Sequence, residues 1–207
     1  MRKSLLIIVG PTAVGKTEIS IHIAKKLNGE IISADSMQVY KKMDIGSAKP
    51  TERERQNIPH YLMGDIDPRE SFSAAQFQEK AKKYIDIILG KNKLPIIVGG
   101  TGLYINSLIY KMDFAETEPD WKLRQKLQKE AEIYGSEYLY GKLQELNKEV
   151  ASRIHPNNVK RVIRAIEVLQ SDNKKIKDFK KDLIENKEYN YLMIGLTRDR
   201  EELYDRI

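Results

Sequence analysis

Residues 5–20, LLIIVGPTAVGKTEIS, change character twice. Leu5 to Val9 is a short unbroken apolar run rich in Ile and Val, as a strand buried on both faces requires. GPTAVGKT at 10–17 then fits the pattern G-x-x-x-x-G-K-[ST], in which glycines let successive backbone N–H groups curl around phosphate at the start of a helix. From Thr17 to Asn28 the apolar residues Ile19, Ile23, Ala24 and Leu27 recur at helical spacing, with Gly29 placed as the C-terminal cap. Strand, glycine-rich loop and helix in that order are a phosphate-gripping P-loop. Its binding residues are Gly10, Pro11, Thr12, Ala13, Val14, Gly15, Lys16 and Thr17; Lys16 supplies a point charge and Thr17 a hydroxyl for Mg²⁺.

The same alternation continues. A second apolar run, Glu30 to Ala34, leads into Asp35, and a third, Pro95 to Val98, follows a helix with Phe77, Ala81, Tyr84, Ile85 and Ile88 on one face. Strands alternating with helices predict an α/β fold: a P-loop NTPase-like parallel sheet flanked by helices. After Lys111 charged, helix-compatible segments take over until an apolar run at Tyr191 to Leu196. The expected organisation is therefore a core of residues 1–112 and 189–207 carrying a helical insertion domain at 113–188. Inside the insertion, Asn157 is placed to cap a helix that turns Val159, Val162, Ile163, Ile166 and Leu169 inward and Lys160, Arg161 and Arg164 outward.

Composition narrows the function classes. The 207 residues are 41% hydrophobic and 32% charged, and no apolar run approaches the roughly 20 residues that span a bilayer. MRKSLLIIV imitates a secretory leader, but its apolar part is too short and runs directly into the loop. With no cysteine there is no disulfide, thiolate metal site or cysteine nucleophile, in keeping with a reducing cytoplasm, and three histidines argue against an all-histidine metal site. The net charge is +6, and Arg153 to Lys181 holds nine Lys/Arg against three Asp/Glu, so the excess concentrates there. That stretch is a candidate nucleic-acid face, and KKIKDFKKD from Lys174 to Asp182 within it is expected to be exposed.

An ATPase usually places an acidic residue at the end of a later strand to hold Mg²⁺, whereas Val98 is followed by Gly99, Gly100, Thr101 and Gly102. Simple ATP hydrolysis is disfavoured. Asp35, directly after the second strand, falls on the carboxyl edge that also carries the P-loop, where it can cap a helix or accept a proton from a nucleophile.

GPTAVGKT, ISADSMQVYKKMDIGSAKP (32–50), IVGGTGLYI (97–105) and RIHPNNVKRVIRAIEV (153–168) together closely resemble the bacterial tRNA dimethylallyltransferases. The resemblance implies transfer of a dimethylallyl group from its pyrophosphate to N6 of the adenosine beside the tRNA anticodon. It makes Asp35 the base, gives Lys16, the loop amides and Mg²⁺ on Thr17 the departing pyrophosphate, and puts Asp35, Ser36, Met37, Gln38, Thr101 and Arg124 against the RNA. Lys160, Arg161, Val162, Ile163 and Arg164 are implied to meet its backbone. The implied partners are a tRNA anticodon stem-loop and dimethylallyl pyrophosphate, with no membrane, a cytoplasmic location and a monomeric state. Members of the family are longer, so the chain is expected to lack a C-terminal part that ends the core and adds an arginine at the pyrophosphate.

Three rivals share parts of this pattern. A small-molecule kinase would use the same loop for ATP, but leaves the basic helical segment unexplained. An adenylate isopentenyltransferase would prenylate a free nucleotide, against which the Arg153 to Arg164 segment and the DSMQ run argue. A non-enzymatic RNA-binding module would leave Lys16 and Asp35 without a purpose.

Overall fold

The computed structural model describes residues 2–112, 114, 119–171 and 183–207. Five strands, β1 (Lys3–Val9), β2 (Gly29–Ser33), β3 (His60–Tyr61), β4 (Leu94–Gly99) and β5 (Tyr189–Gly195), form one parallel sheet in the order β3-β2-β4-β1-β5. The helices are α1 (Lys16–Lys26), α2 (Glu52–Arg55), α3 (Ala74–Gly90), α4 (Gly102–Ile109), α5 (Trp121–Tyr134), α6 (Ser136–Leu146), α7 (Lys148–Ala151), α8 (Val159–Gln170) and α9 (Arg200–Arg206). None is long and apolar enough to cross a membrane, among the described residues.

Because side chains alternate along a strand, the continuous apolar runs feed two cores. Leu5, Ile7, Ile32 and Ile97 face Phe77, Ala81, Ile85 and Ile88 of α3 and Ile105 and Leu108 of α4. Leu6, Ile8, Ile31, Ile96 and Val98 face Ile21 and Ala24 of α1 on the other side. Parallel strands set all their carboxyl ends on one edge of the sheet.

Several local expectations shift. In α1 the buried residues are Ser20, Ile21 and Ala24, while Ile19 and Leu27 are exposed, because the loop geometry starts the helix at Lys16 and sets its rotation. Asn28, with φ 50°, takes the left-handed position after α1, and Gly29 already pairs in β2. β3 is too short to leave a periodic signal, yet it pairs with Ile31 and Ile32. β5 begins at Tyr189, whose ring is buried in the core.

The chain divides into two compact units, Met1–Met112 with Leu183–Ile207, and Asp113–Asp182. The second has its own core of Leu127, Leu139, Leu143, Val150, Ile154, Val162 and Ile166. Asn158, not Asn157, caps α8, accepting from Arg161 N at 3.3 Å. Asn157 instead accepts from the Ser136 hydroxyl at 3.3 Å. The Lys174 to Asp182 run lies outside the described residues.

Candidate functional site

The carboxyl edge is built first by the loop that leaves β1. A Cβ on Gly10 would lie 2.7 Å from Leu196 O and 3.1 Å from Val14 Cγ1, so a side chain there would collide with the segment after β5. Ala13 (φ 65°) and Gly15 (φ 101°) adopt left-handed turns that roll the chain into a concavity, as anion-binding nests require. Pro11 and Thr12 are exposed on its rim, and Val14 is buried beneath it. Gly15 gives α1 no side-chain cap, which leaves the first-turn amides to an anion.

Lys16 folds back over this loop, donating to Gly10 O (2.9 Å) and Pro11 O (2.7 Å). Burial lowers the pKa of its ammonium and the Asp35 carboxylate opposes that shift, so the two charges sense each other. Thr17 is half-buried in the first turn of α1. Arg206, in the last turn of α9, donates to Ala13 O at 2.9 Å, a contact no sequence pattern announces.

Asp35 stands at the end of β2. Its Oδ1 accepts from Met37 N (2.8 Å) and Gln38 N (3.2 Å), closing a tight turn, and among the described residues Oδ2 has no hydrogen-bond donor. The turn is tied to β4 from both sides: Ser36 N donates to Thr101 Oγ1 (3.0 Å), and Thr101 N donates to Ala34 O (3.2 Å). A Cβ on Gly99 would sit 2.1 Å from Ala34 O, so the two strand ends meet this closely only through glycine. In this glycine run it is Gly99 that serves close backbone approach, whereas a Cβ on Gly102 would meet nothing within 4 Å. Gln38 reaches across to Ser47 O (3.1 Å) and Ala48 O (3.3 Å), while Ser36 and Met37 stay exposed.

Sequence patterns leave Tyr104 and Tyr40 undistinguished among eleven tyrosines. In the fold, the phenol of Tyr104 is pushed up to about 12, first by burial and then by Tyr40 and Asp35. Its ring stacks on Phe77 at 4.2 Å and meets Phe72 edge-on at 6.2 Å. Tyr104, whose phenol senses the Asp35 charge, thus belongs to an aromatic cluster that only the tertiary fold reveals.

No group of three or more His, Cys, Asp or Glu able to hold a metal occurs among the described residues. The Thr17 hydroxyl beside the amide cradle suits Mg²⁺ that arrives on phosphate oxygens, since this ion keeps water and substrate ligands and needs few from the protein.

The helical unit holds the remaining candidates. Lys160 and Arg161 are exposed on α8, whereas Val162 and Ile163 are buried in the core, so their side chains are closed to RNA: the helix turns its apolar stripe inward. Arg124 is bound by Glu167, with Nε to Oε1 and Nη2 to Oε2 both at 2.9 Å. Arg164 pairs with the same carboxylate, and Asp120 N donates to it at 2.8 Å. Burial would raise the pKa of Glu167, but Arg124, Arg164 and the Asp120 amide hold it below its ordinary value. Arg124 and Arg164 are thus anchored rather than free to swing, which the basic pattern alone does not reveal.

Residues 38–207 match the family model described as IPP transferase. The chain is 59% identical to a tRNA dimethylallyltransferase of Alkaliphilus oremlandii over 207 residues, all of this chain and 66% of that protein. Its identity to the tRNA dimethylallyltransferase of Clostridioides difficile is 56% over 203 residues, 98% of this chain and 65% of that one. The crystal structure of a full-length tRNA isopentenylpyrophosphate transferase from Bacillus halodurans is similar with a TM-score of 0.64 and 45% identity, covering 99% of this chain and 63% of that one. Crystallographic snapshots of a eukaryotic dimethylallyltransferase acting on tRNA give a TM-score of 0.79 at 32% identity, over 99% of this chain and 50% of that one. The chain spans just under two thirds of the length of the curated relatives it matches.

Proposed function

This chain belongs to the IPP transferase family, and from that membership we propose that it transfers a dimethylallyl group from dimethylallyl pyrophosphate to N6 of the adenosine next to a tRNA anticodon. The observation that carries the reading is the pairing at the carboxyl edge. A phosphate cradle with a folded-in lysine lies within electrostatic reach of a carboxylate that has one oxygen tied down and one open. The end of β4, where a hydrolase would hold Mg²⁺, carries Gly99 instead.

In the proposed reaction the N6 lone pair bonds to C1 of the allyl group while the C1–O bond breaks, and its electron pair leaves with pyrophosphate. The amides of Gly10 to Thr17 and the Lys16 ammonium stabilise the growing negative charge. Mg²⁺ carried on the diphosphate and met by Thr17 would add to that neutralisation. An adenine amine is a poor nucleophile because its lone pair is delocalised into the ring. Asp35 Oδ2 takes the N6 proton as the bond forms, while the two amides on Oδ1 fix the carboxylate in place. Exposed Ser36 and Met37, with Gln38 and Thr101 behind them, suit contact with the target nucleotide and its neighbours. Lys160 and Arg161, with the anchored Arg124 and Arg164, suit the RNA backbone. Such chemistry belongs in the cytoplasm, where tRNA is processed, and needs no second copy of the chain.

Calorimetry with dimethylallyl pyrophosphate and with ATP, each with Mg²⁺ and with or without an anticodon stem-loop, tests the reading. The prenyl pyrophosphate is expected to bind in preference to ATP. Lys16→Ala is expected to weaken it at least about tenfold, since a charged contact contributes about 1.5–3 kcal/mol. Preference for ATP irrespective of RNA would instead identify a kinase.

A further inference from the structure

Ile45 is 97% exposed, more than any other large apolar side chain among the described residues. Single exposed apolar residues are common and need no purpose, but turns ordinarily take Gly, Pro, Asn, Asp or Ser rather than a β-branched aliphatic residue. What sets Ile45 apart is the support beneath it. Lys49 N donates to Asp44 O and Ala48 N to Ile45 O, both at 3.0 Å, with Ala48 at φ 47°. That is the pattern that closes the end of a helix, built here on a lone turn, with alanine in the left-handed position that usually goes to glycine. Where this pattern ordinarily packs two apolar side chains, Asp44 and Lys49 form an ion pair at 2.6 Å. The Lys49 side chain is only 4% exposed and also donates to Tyr40 O at 2.7 Å, and the Ser47 hydroxyl donates to Met43 O.

The turn is joined to the candidate base. Gln38 Nε2 donates to Ser47 O and Ala48 O, and Gln38 N donates to Asp35 Oδ1. One residue thus holds the Ile45 turn and the carboxylate in a fixed relation. Two further apolar side chains are exposed nearby in the chain: Met37 on the Asp35 turn and Leu103 in the first turn of α4, the two turns that the Ser36–Thr101 hydrogen bond ties together. An adenine that reaches Asp35 has left the stack of its loop, so the bases on either side of it lose a neighbour. An aliphatic side chain laid against the face of such a base restores part of that contact, as apolar wedges do where proteins unstack nucleic acid. Phosphate and sugar offer no comparable flat apolar surface.

We propose that Ile45 packs against the face of an unpaired base next to the target adenosine and is a specificity-determining contact for loop RNA. The assignment rests on the RNA-binding reading above and adds to it a residue beyond the run from Asp35 to Gln38. It makes the preference for a loop over a duplex depend on an apolar contact as well as on backbone charge.

The test uses the intact chain, with a labelled anticodon stem-loop and an RNA duplex of equal length titrated separately over a range of salt and binding followed by anisotropy. Ile45→Ala is expected to weaken stem-loop binding about tenfold, with the salt slope, duplex binding and affinity for dimethylallyl pyrophosphate unchanged, because the substitution removes apolar contact and no charge. Ile45→Met is expected to recover most of the loss. Since the side chain touches little of the fold, the melting temperature of both variants is expected to match the wild type. Wild-type affinity in Ile45→Ala, an equal loss on the duplex, a flattened salt slope, or a loss in Ile45→Met as large as in Ile45→Ala would each overturn the apolar contact and leave the RNA reading standing. Failure of either RNA to bind the wild-type chain would overturn both.

Discussion

Glu30 and Asp35 mark opposite ends of β2, and the fold treats these two acids in opposite ways. Glu30, at the amino edge, is closed off from solvent and accepts from Lys91 (3.0 Å), Lys93 (2.8 Å) and the Tyr61 hydroxyl (2.7 Å). Burial alone would raise its pKa, but those three donors hold it down to about 2. Asp35, at the carboxyl edge, is half-buried and takes two backbone donors on one oxygen, and no side-chain donor among the described residues reaches the other. A buried acid whose bonding capacity is filled locks a strand in place. An acid held by the backbone with one oxygen left open is free to take a proton.

The sharpest way to break this contrast is Asp35→Asn, which keeps an oxygen for the Met37 and Gln38 amides and removes the proton acceptor. Single-turnover transfer is expected to fall by about 10²–10⁴, the range of general-base catalysis, with the melting temperature nearly unchanged. Unaltered transfer would remove Asp35 as the base.

Glu30→Gln should do the reverse, losing about 2 kcal/mol in urea denaturation and leaving transfer intact. The loss stays below the roughly 3–5 kcal/mol of a broken buried pair because Lys91 and Lys93 keep solvent contact. Since the folded pKa lies below the ordinary 4.5, the carboxylate's contribution is fully present above that value and is lost as pH falls through about 2. The stability gap between wild type and Glu30→Gln should therefore close as the pH is lowered from about 5 toward 2. A constant gap would mean that packing, not charge, holds this end.

Thr101→Val is the smallest of the three. It removes the acceptor for Ser36 N, but that amide can turn to water, so a cost of about 0.5–1 kcal/mol and a few-fold loss of transfer are expected. Transfer that falls as far as in Asp35→Asn would show that the Thr101 hydroxyl takes part in the chemistry itself.

The loop at 10–17 was legible because its turns and the helix start that follows are set by contiguous residues whose backbone conformation is local. Asp35 was legible in position, from the strand before it, though its open oxygen depends on how Met37 and Gln38 turn back. The basic face of α8 was legible from its spacing, but the pairing of Arg124 and Arg164 with Glu167 was not. Glu167 belongs to the same sequence pattern as any acid on a charged helix, and it becomes an anchor only when α5 packs against α8 and shuts out water.

What the sequence by itself determined is therefore what short-range rules control: the apolar runs, the glycine-rich loop, the strand-end acid and the amphipathic basic helix. Tertiary structure alone decided that Ile21 rather than Ile19 faces the sheet, that the Tyr104 phenol senses the Asp35 charge, that Gly99 lets β4 close on the end of β2, and that Arg206 reaches the loop. Each of these depends on residues far apart in the chain meeting in the fold. There, burial and the partners found in space, rather than residue type, set what a side chain does.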